Sequence, residues 1–129
     1  KIEGIEWIRL QYSYPNNFPM DLLDLKQREP KICKYIDMPL QHIDNSILDS
    51  MNRRITKEET MDLIGRLRQK VPQLCLRTTL IVGYPNETEE QFVALEDFVA
   101  QTKFDRMGAF TYSPEEGTAA FKLEDNVSA

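Results

Sequence analysis

Apolar and polar residues alternate along three stretches of the chain. The clearest is LRTTLIVG, residues 76–83. Side chains of an extended strand point to opposite faces in turn. Leu76, Thr78, Leu80 and Val82 therefore share one face, and Arg77, Thr79, Ile81 and Gly83 share the other. IEWIRLQY, residues 5–12, divides the same way, with Ile8, Leu10 and Tyr12 opposite Trp7, Arg9 and Gln11. KYIDMPLQH, residues 34–42, sets Ile36, Met38 and Leu40 against Asp37, Pro39 and Gln41. A fourth strand is expected over DRMGAFTYS, residues 105–113.

Helical spacing separates these strands. MDLLDLKQRE is stopped by Pro30. DNSILDSMN starts at Asp44, a side chain suited to capping. TKEETMDLIGRLRQKV carries Thr56 with Glu59 three residues on, and TEEQFVALEDFV carries Thr88 with Gln91; both are capping-box patterns. Met61, Ile64, Leu67 and Val71 are the expected buried stripe of the first, and Phe92, Leu95, Phe98 and Val99 that of the second. The carboxylates Glu58, Glu59, Glu87, Glu89 and Glu90 fall near helix starts, where they favour the dipole.

Strands joined by helices imply an α/β protein with a parallel sheet and right-handed crossovers, closed as a barrel or doubly wound. No GxGxxG follows a strand, so a dinucleotide-binding unit is unsupported. Parallel strands covered on both faces usually read as continuous Val, Ile and Leu. Here one face of each strand carries Arg9, Gln11, Asp37, Gln41, Arg77 and Thr79. Unpaired burial of such groups costs about 1–3 kcal/mol each or more. Either a polar guest or water fills that side, or the charges pair internally, Asp37 with Arg9 or Arg77; the two can coexist. Ligands of parallel α/β proteins sit at the carboxyl ends of strands. Those ends are Ser13-Tyr14-Pro15, Gln41-His42, Gly83-Tyr84-Pro85 and Tyr112-Ser113. Gly83 suits either a tight turn or a close backbone approach to a ligand. His42 is the single histidine and is expected to be a satisfied loop residue. Tyr84, Tyr112 and the scattered methionines are expected to pack.

Composition narrows this picture. The chain has 129 residues, 41% hydrophobic and 29% charged, enough to build one core. Its formal charge of −5 disfavours direct binding of nucleic-acid phosphates. Cys33 and Cys75 are the only cysteines and form no CxxC or zinc spacing, which suits a reducing cytoplasmic setting with two buried thiols. No membrane span, P-loop, HExxH or GxSxG is present in the sequence.

Three blocks then carry a specific resemblance: CKYIDMPLQHIDNSILDSMNRR, LRTTLIVGYPNETEEQF and FDRMGAFTYSPEEGT. Together, over about residues 7–117, they resemble the radical S-adenosylmethionine methylthiotransferases. PLQH and RMGAFTYSPEEGT favour the branch that modifies an aspartate of a ribosomal small-subunit protein over the tRNA-modifying branch. The resemblance implies a partial (βα) barrel of about four parallel strands with outer helices, the C-terminal half of a radical-SAM barrel over residues 1–129. It also implies S-adenosylmethionine and a 4Fe-4S cluster as cofactors of the whole enzyme. Cys33 and Cys75 do not match the family's C-x-x-x-C-x-x-C loop, so no metal ligand or catalytic residue is expected in this segment, which alone would be inactive. Thr79-x-Ile81-x-Gly83 is similar to the strand motif that lines the adenosylmethionine site. Gln41 and Arg77 are implied polar contacts, Tyr112 borders the adenosyl group, and Arg9, Gln11 and Asp37 face the lumen. Asn86 departs from the Gly common in the family's turn. The implied partner is the ribosomal protein substrate, with no membrane; the isolated segment is expected to self-associate through its open sheet edges. A tRNA-modifying enzyme and a non-catalytic half-barrel module are the alternatives.

Overall fold

A computed structural model of the protein describes residues 3–124, 126 and 127. In chain order the elements are β1 (Ile8–Leu10), α1 (Asp21–Arg28), β2 (Ile32–Asp37), α2 (Asn45–Ser50), α3 (Lys57–Lys70), β3 (Cys75–Val82), α4 (Glu89–Thr102) and β4 (Arg106–Thr111), followed by a 3-10 turn at Ala120–Lys122. The sheet runs β1-β2-β3-β4, and every neighbouring pair is parallel. Each strand lies beside its predecessor. That is the wall of a barrel; a doubly wound sheet would reverse its order at a switch point.

Side-chain caps start α2, α3 and α4, whereas α1 follows Met20 without one. Asp44 accepts hydrogen bonds from the amides of Ser46 and Ile47 and so caps α2. Burial pushes the Asp44 carboxyl upward, but hydrogen bonds from Ser46, Ile47 and Gln91 outweigh it and hold it below its ordinary value. Both expected capping boxes form: Thr56 with Glu59 opens α3, and Thr88 with Gln91 opens α4. Lys103 ends α4 in the left-handed region at φ 51°.

Side-chain parity divides the sheet into two faces. Leu76, Thr78 and Leu80 of β3, with Ile36, Met38 and Leu40, are buried under the helices. The apolar members pack in one core with Leu23 of α1, Leu63, Ile64 and Leu67 of α3, and Leu95 and Phe98 of α4. Burying each such side chain contributes about 1.5–3 kcal/mol. Thr78 is the polar member of this face. Its hydroxyl donates to the Met38 carbonyl at 3.0 Å and accepts from the Leu40 amide at 3.3 Å.

Several expectations are corrected. The second strand does not continue to His42; it ends at Asp37. Pro39 has no amide to give the ladder, and the Thr78 hydroxyl bonds the departing backbone instead. Contact with β3 resumes at Gln41, whose amide donates to Thr79 O at 2.9 Å and whose carbonyl accepts from the Ile81 amide at 2.8 Å. The first strand is short, because its register against β2 shifts between Ile8 and Leu10. Met61 and Met107 are each 48% exposed and are not core filler; Thr60 and Leu63 take the buried positions on α3. Cys33 and Cys75 are free and only half-buried. Burial, and then the nearby Asp105 carboxylate, push the Cys75 thiol above its ordinary pKa.

Lys26 of α1 was not singled out by the sequence, yet it is 1% exposed. Its amine donates to the carbonyls of Cys33 at 3.0 Å and Tyr35 at 2.8 Å, along the stretch where β1 pairing slips. Burial lowers its pKa, and Cys33 partly opposes the shift. Lys26→Met keeps the side-chain length but removes both donors. It is expected to lower unfolding stability by about 1–3 kcal/mol in urea titrations; unchanged stability would show that neither bond matters.

Candidate functional site

The other face of the sheet opens on a cavity of about 560 Å³, within the range of small-molecule sites. Gln41 follows β2, Thr79 and Ile81 come from β3, and Tyr84 and Tyr112 follow β3 and β4; all five line it. Arg53, in the loop after α2, and the segment Thr118–Ala120 also line it. The register explains the assembly. Thr79 pairs with Gly108 and Ile81 with Phe110, so the residues of one parity on β3 and β4 share this face.

Gln41 is the most constrained member. It is not glycine, yet its φ is +73°, a left-handed conformation costing on the order of 1–3 kcal/mol and concentrated at ligand-clamping positions. Two backbone hydrogen bonds to β3 hold it there. Its Oε1 is buried without a hydrogen-bond partner. Arg53 Nε is also buried and unpartnered. Elsewhere on that guanidinium, Nη2 donates to Pro39 O at 2.5 Å, and Cζ lies 4.6 Å from the Tyr14 ring centroid. The Tyr14 hydroxyl donates to Arg53 O at 2.9 Å. Burial pulls the Arg53 pKa down and Tyr14 partly opposes this. The cavity is thus lined by one amide and one guanidinium side chain beside an apolar wall of Ile81 and two tyrosines. The tyrosine rings meet edge to face at 5.4 Å.

The remaining sequence-derived residues stand elsewhere. Asp37 is 3% exposed and pairs with Arg77, whose Nη1 lies 2.9 and 3.0 Å from the two carboxylate oxygens. That hydrogen bond raises the Arg77 pKa. The internal pairing weighed from the sequence therefore exists, and neither residue lines the cavity. Arg9 lies over the Tyr35 ring at 5.2 Å, and the Gln11 amide, suitably oriented, accepts from Arg9; both are exposed, Arg9 on β1 and Gln11 just after it. Gly83 adopts φ +69° just before Tyr84.

Two residues escaped the sequence reading. Arg53 sits in a loop, where no periodicity reports direction. Glu87 is not a first-turn dipole support, because α4 begins two residues later, at Glu89. Its carboxylate turns inward: Oε1 lies 3.2 Å from His42 Nε2, and Oε2 accepts from the Tyr84 amide at 3.0 Å. His42 is fully buried and, as expected, satisfied; its Nδ1 accepts from the Asp44 amide at 3.0 Å.

The family model of the Radical SAM superfamily matches residues 2–99, and the chain belongs to that superfamily. Within it, the chain is 61% identical to the ribosomal protein uS12 methylthiotransferase RimO of Flavobacterium psychrophilum, over 98% of this chain and 29% of that protein. Against RimO of Geobacter sulfurreducens it is 50% identical, over 98% of this chain and 28% of the relative. The chain spans less than a third of the length of these curated relatives. Among solved structures, the radical SAM enzyme coproporphyrinogen III oxidase (HemN) of Escherichia coli superposes with a TM-score of 0.71 at 24% identity, covering 95% of this chain and 27% of that one. The radical S-adenosylmethionine methyltransferase TsrM of Kitasatospora setae gives 0.61 at 21% identity, covering 81% and 20%. At those identities the likeness is one of fold, and it agrees with the expected partial barrel.

Proposed function

We propose that this chain is the cofactor-facing, C-terminal half of a radical-SAM domain in a methylthiotransferase acting on an aspartate of ribosomal protein uS12 in the cytoplasm. The relatives' names and identities support the substrate. The observation that carries the site is Gln41, strained at φ +73° with an Oε1 buried and unpartnered among the described residues, in a side chain that lines the cavity together with Arg53, whose Nε is likewise buried and unpartnered.

Adenosylmethionine fits those groups. Arg53 would match its carboxylate, the Gln41 amide would meet its ammonium or a ribose hydroxyl, Thr79 would add a hydroxyl, and Ile81 with Tyr84 and Tyr112 would offer an apolar wall for the adenine. Together with a 4Fe-4S cluster, adenosylmethionine supplies the radical chemistry of such enzymes. The residues of this chain bind, orient and keep water away. The cluster itself finds no ligand set here: among the described residues no three His, Cys, Asp or Glu side chains group to hold a metal. Its ligands belong, in this reading, to the remainder of the longer protein. Asp37 and Arg77 fix the lumen face below the cavity as a pair. Among the described residues no helix is long and apolar enough to cross a membrane. Self-association of the isolated segment through the β1 and β4 edges belongs to the same reading.

The test offers the reconstituted full-length protein a uS12 peptide containing the target aspartate and, separately, tRNA. Mass spectrometry is expected to find one added methylthio group on the peptide and none on the tRNA. Modification of tRNA alone would replace the substrate assignment. Modification of neither, with no adenosylmethionine binding, would favour a non-catalytic module.

A further inference from the structure

The buried contact between His42 and Glu87 links the two loops that frame the cavity. Their side chains are 0% and 2% exposed. Because His42 Nδ1 accepts from the Asp44 amide, the ring proton lies on Nε2 and points at Glu87 Oε1. The second carboxylate oxygen takes the Tyr84 amide, and the Glu87 amide donates back to Tyr84 O at 2.8 Å. The turn over 84–87 is therefore closed twice, once through the backbone and once through the carboxylate. Each end of the contact adjoins a cavity residue. His42 follows Gln41 directly, and Tyr84 both lines the cavity and reaches Ser50 Oγ through its hydroxyl at 3.1 Å.

Burying such a polar pair in place of apolar side chains is seldom the more stable choice, since desolvation offsets the attraction. What the pair does fix is geometry. It holds the exit of β2 to the exit of β3, across two backbone positions at positive φ, Gln41 and Gly83. A shift of either loop would move Gln41 Oε1 relative to the Tyr84 wall.

We propose that His42 and Glu87 are positioning residues that set the spacing between Gln41 and Tyr84 and thereby the affinity for adenosylmethionine. This rests on the reading of the cavity given above. Three variants of the full-length, cluster-loaded protein separate it from a merely structural role. Glu87→Gln keeps the shape but offers one acceptor oxygen to two donors. His42→Asn keeps an acceptor near Nδ1 and cannot reach Glu87, whereas His42→Gln places an amide N–H near Nε2 and restores the Glu87 contact.

Calorimetric titration with adenosylmethionine, alongside thermal melting, is the measurement. Glu87→Gln and His42→Asn are expected to bind about tenfold more weakly, the scale of one lost charge-assisted hydrogen bond, while His42→Gln stays near wild type at comparable melting temperature. Equal affinity in all three would overturn the proposal. So would losses of affinity that follow the loss of melting temperature in all three, His42→Gln included. If wild type itself fails to bind, or binds unaffected by changes at Gln41 and Arg53, the cavity reading fails instead.

Discussion

Arg53→Ala in the full-length enzyme is expected to weaken adenosylmethionine binding by about 10- to 150-fold, the range set by roughly 1.5–3 kcal/mol for a hydrogen bond to a charged group. The Arg53 guanidinium is partly desolvated by burial. It is already stacked on Tyr14 and bonded to Pro39 O, and its buried Nε has no hydrogen-bond partner among the described residues. Such an arrangement holds the guanidinium in place beside the cavity it lines. Arg53→Lys should rescue little, because an ammonium cannot stack on Tyr14 and present a planar fork together. Titration calorimetry reads the effect directly. Unchanged affinity in Arg53→Ala would remove Arg53 from the site.

The second large effect is on stability, and it contrasts adjacent residues. Leu80→Ala is expected to destabilise the fold by about 2–5 kcal/mol, as for other buried leucines. Leu80 is 2% exposed among helix-facing neighbours from α3 and α4. Thr79→Ala, one residue away, should cost within about 1 kcal/mol and act on ligand affinity instead, because Thr79 faces the cavity. Urea denaturation of both variants measures this. Comparable destabilisation by the two would mean that the faces of β3 are not divided as described.

That division was legible in the sequence because a strand repeats every two residues, and β3 does so without interruption from Leu76 to Leu80. The capping boxes of α3 and α4 were legible for a similar reason, being local rules in which Thr and Glu or Gln satisfy each other three residues apart. The extent of β2 was not. The alternation continues to Gln41, but the ladder stops where Pro39 withholds an amide, and only the Thr78 hydroxyl on the neighbouring strand explains how the backbone continues. The site was legible in part. Gln41, Thr79, Ile81 and Tyr112 meet at the cavity. Arg77 shares their parity, yet it pairs with Asp37, because a guanidinium beside a buried carboxylate takes the nearer partner. Arg53 and Glu87 could not be read ahead, since loop side chains carry no period. Lys26 was hidden differently: its helical pattern says only that a charged residue occurs there, and the register slip of β1 is what gives its amine two carbonyls.

A crystal structure of the full-length protein with bound adenosylmethionine tests the central claim most directly. The claim predicts ligand density at the carboxyl ends of β2, β3 and β4, with Gln41 Oε1 and Arg53 Nε each within hydrogen-bond distance of it. A ligand bound elsewhere, with both atoms still unpartnered, would contradict it.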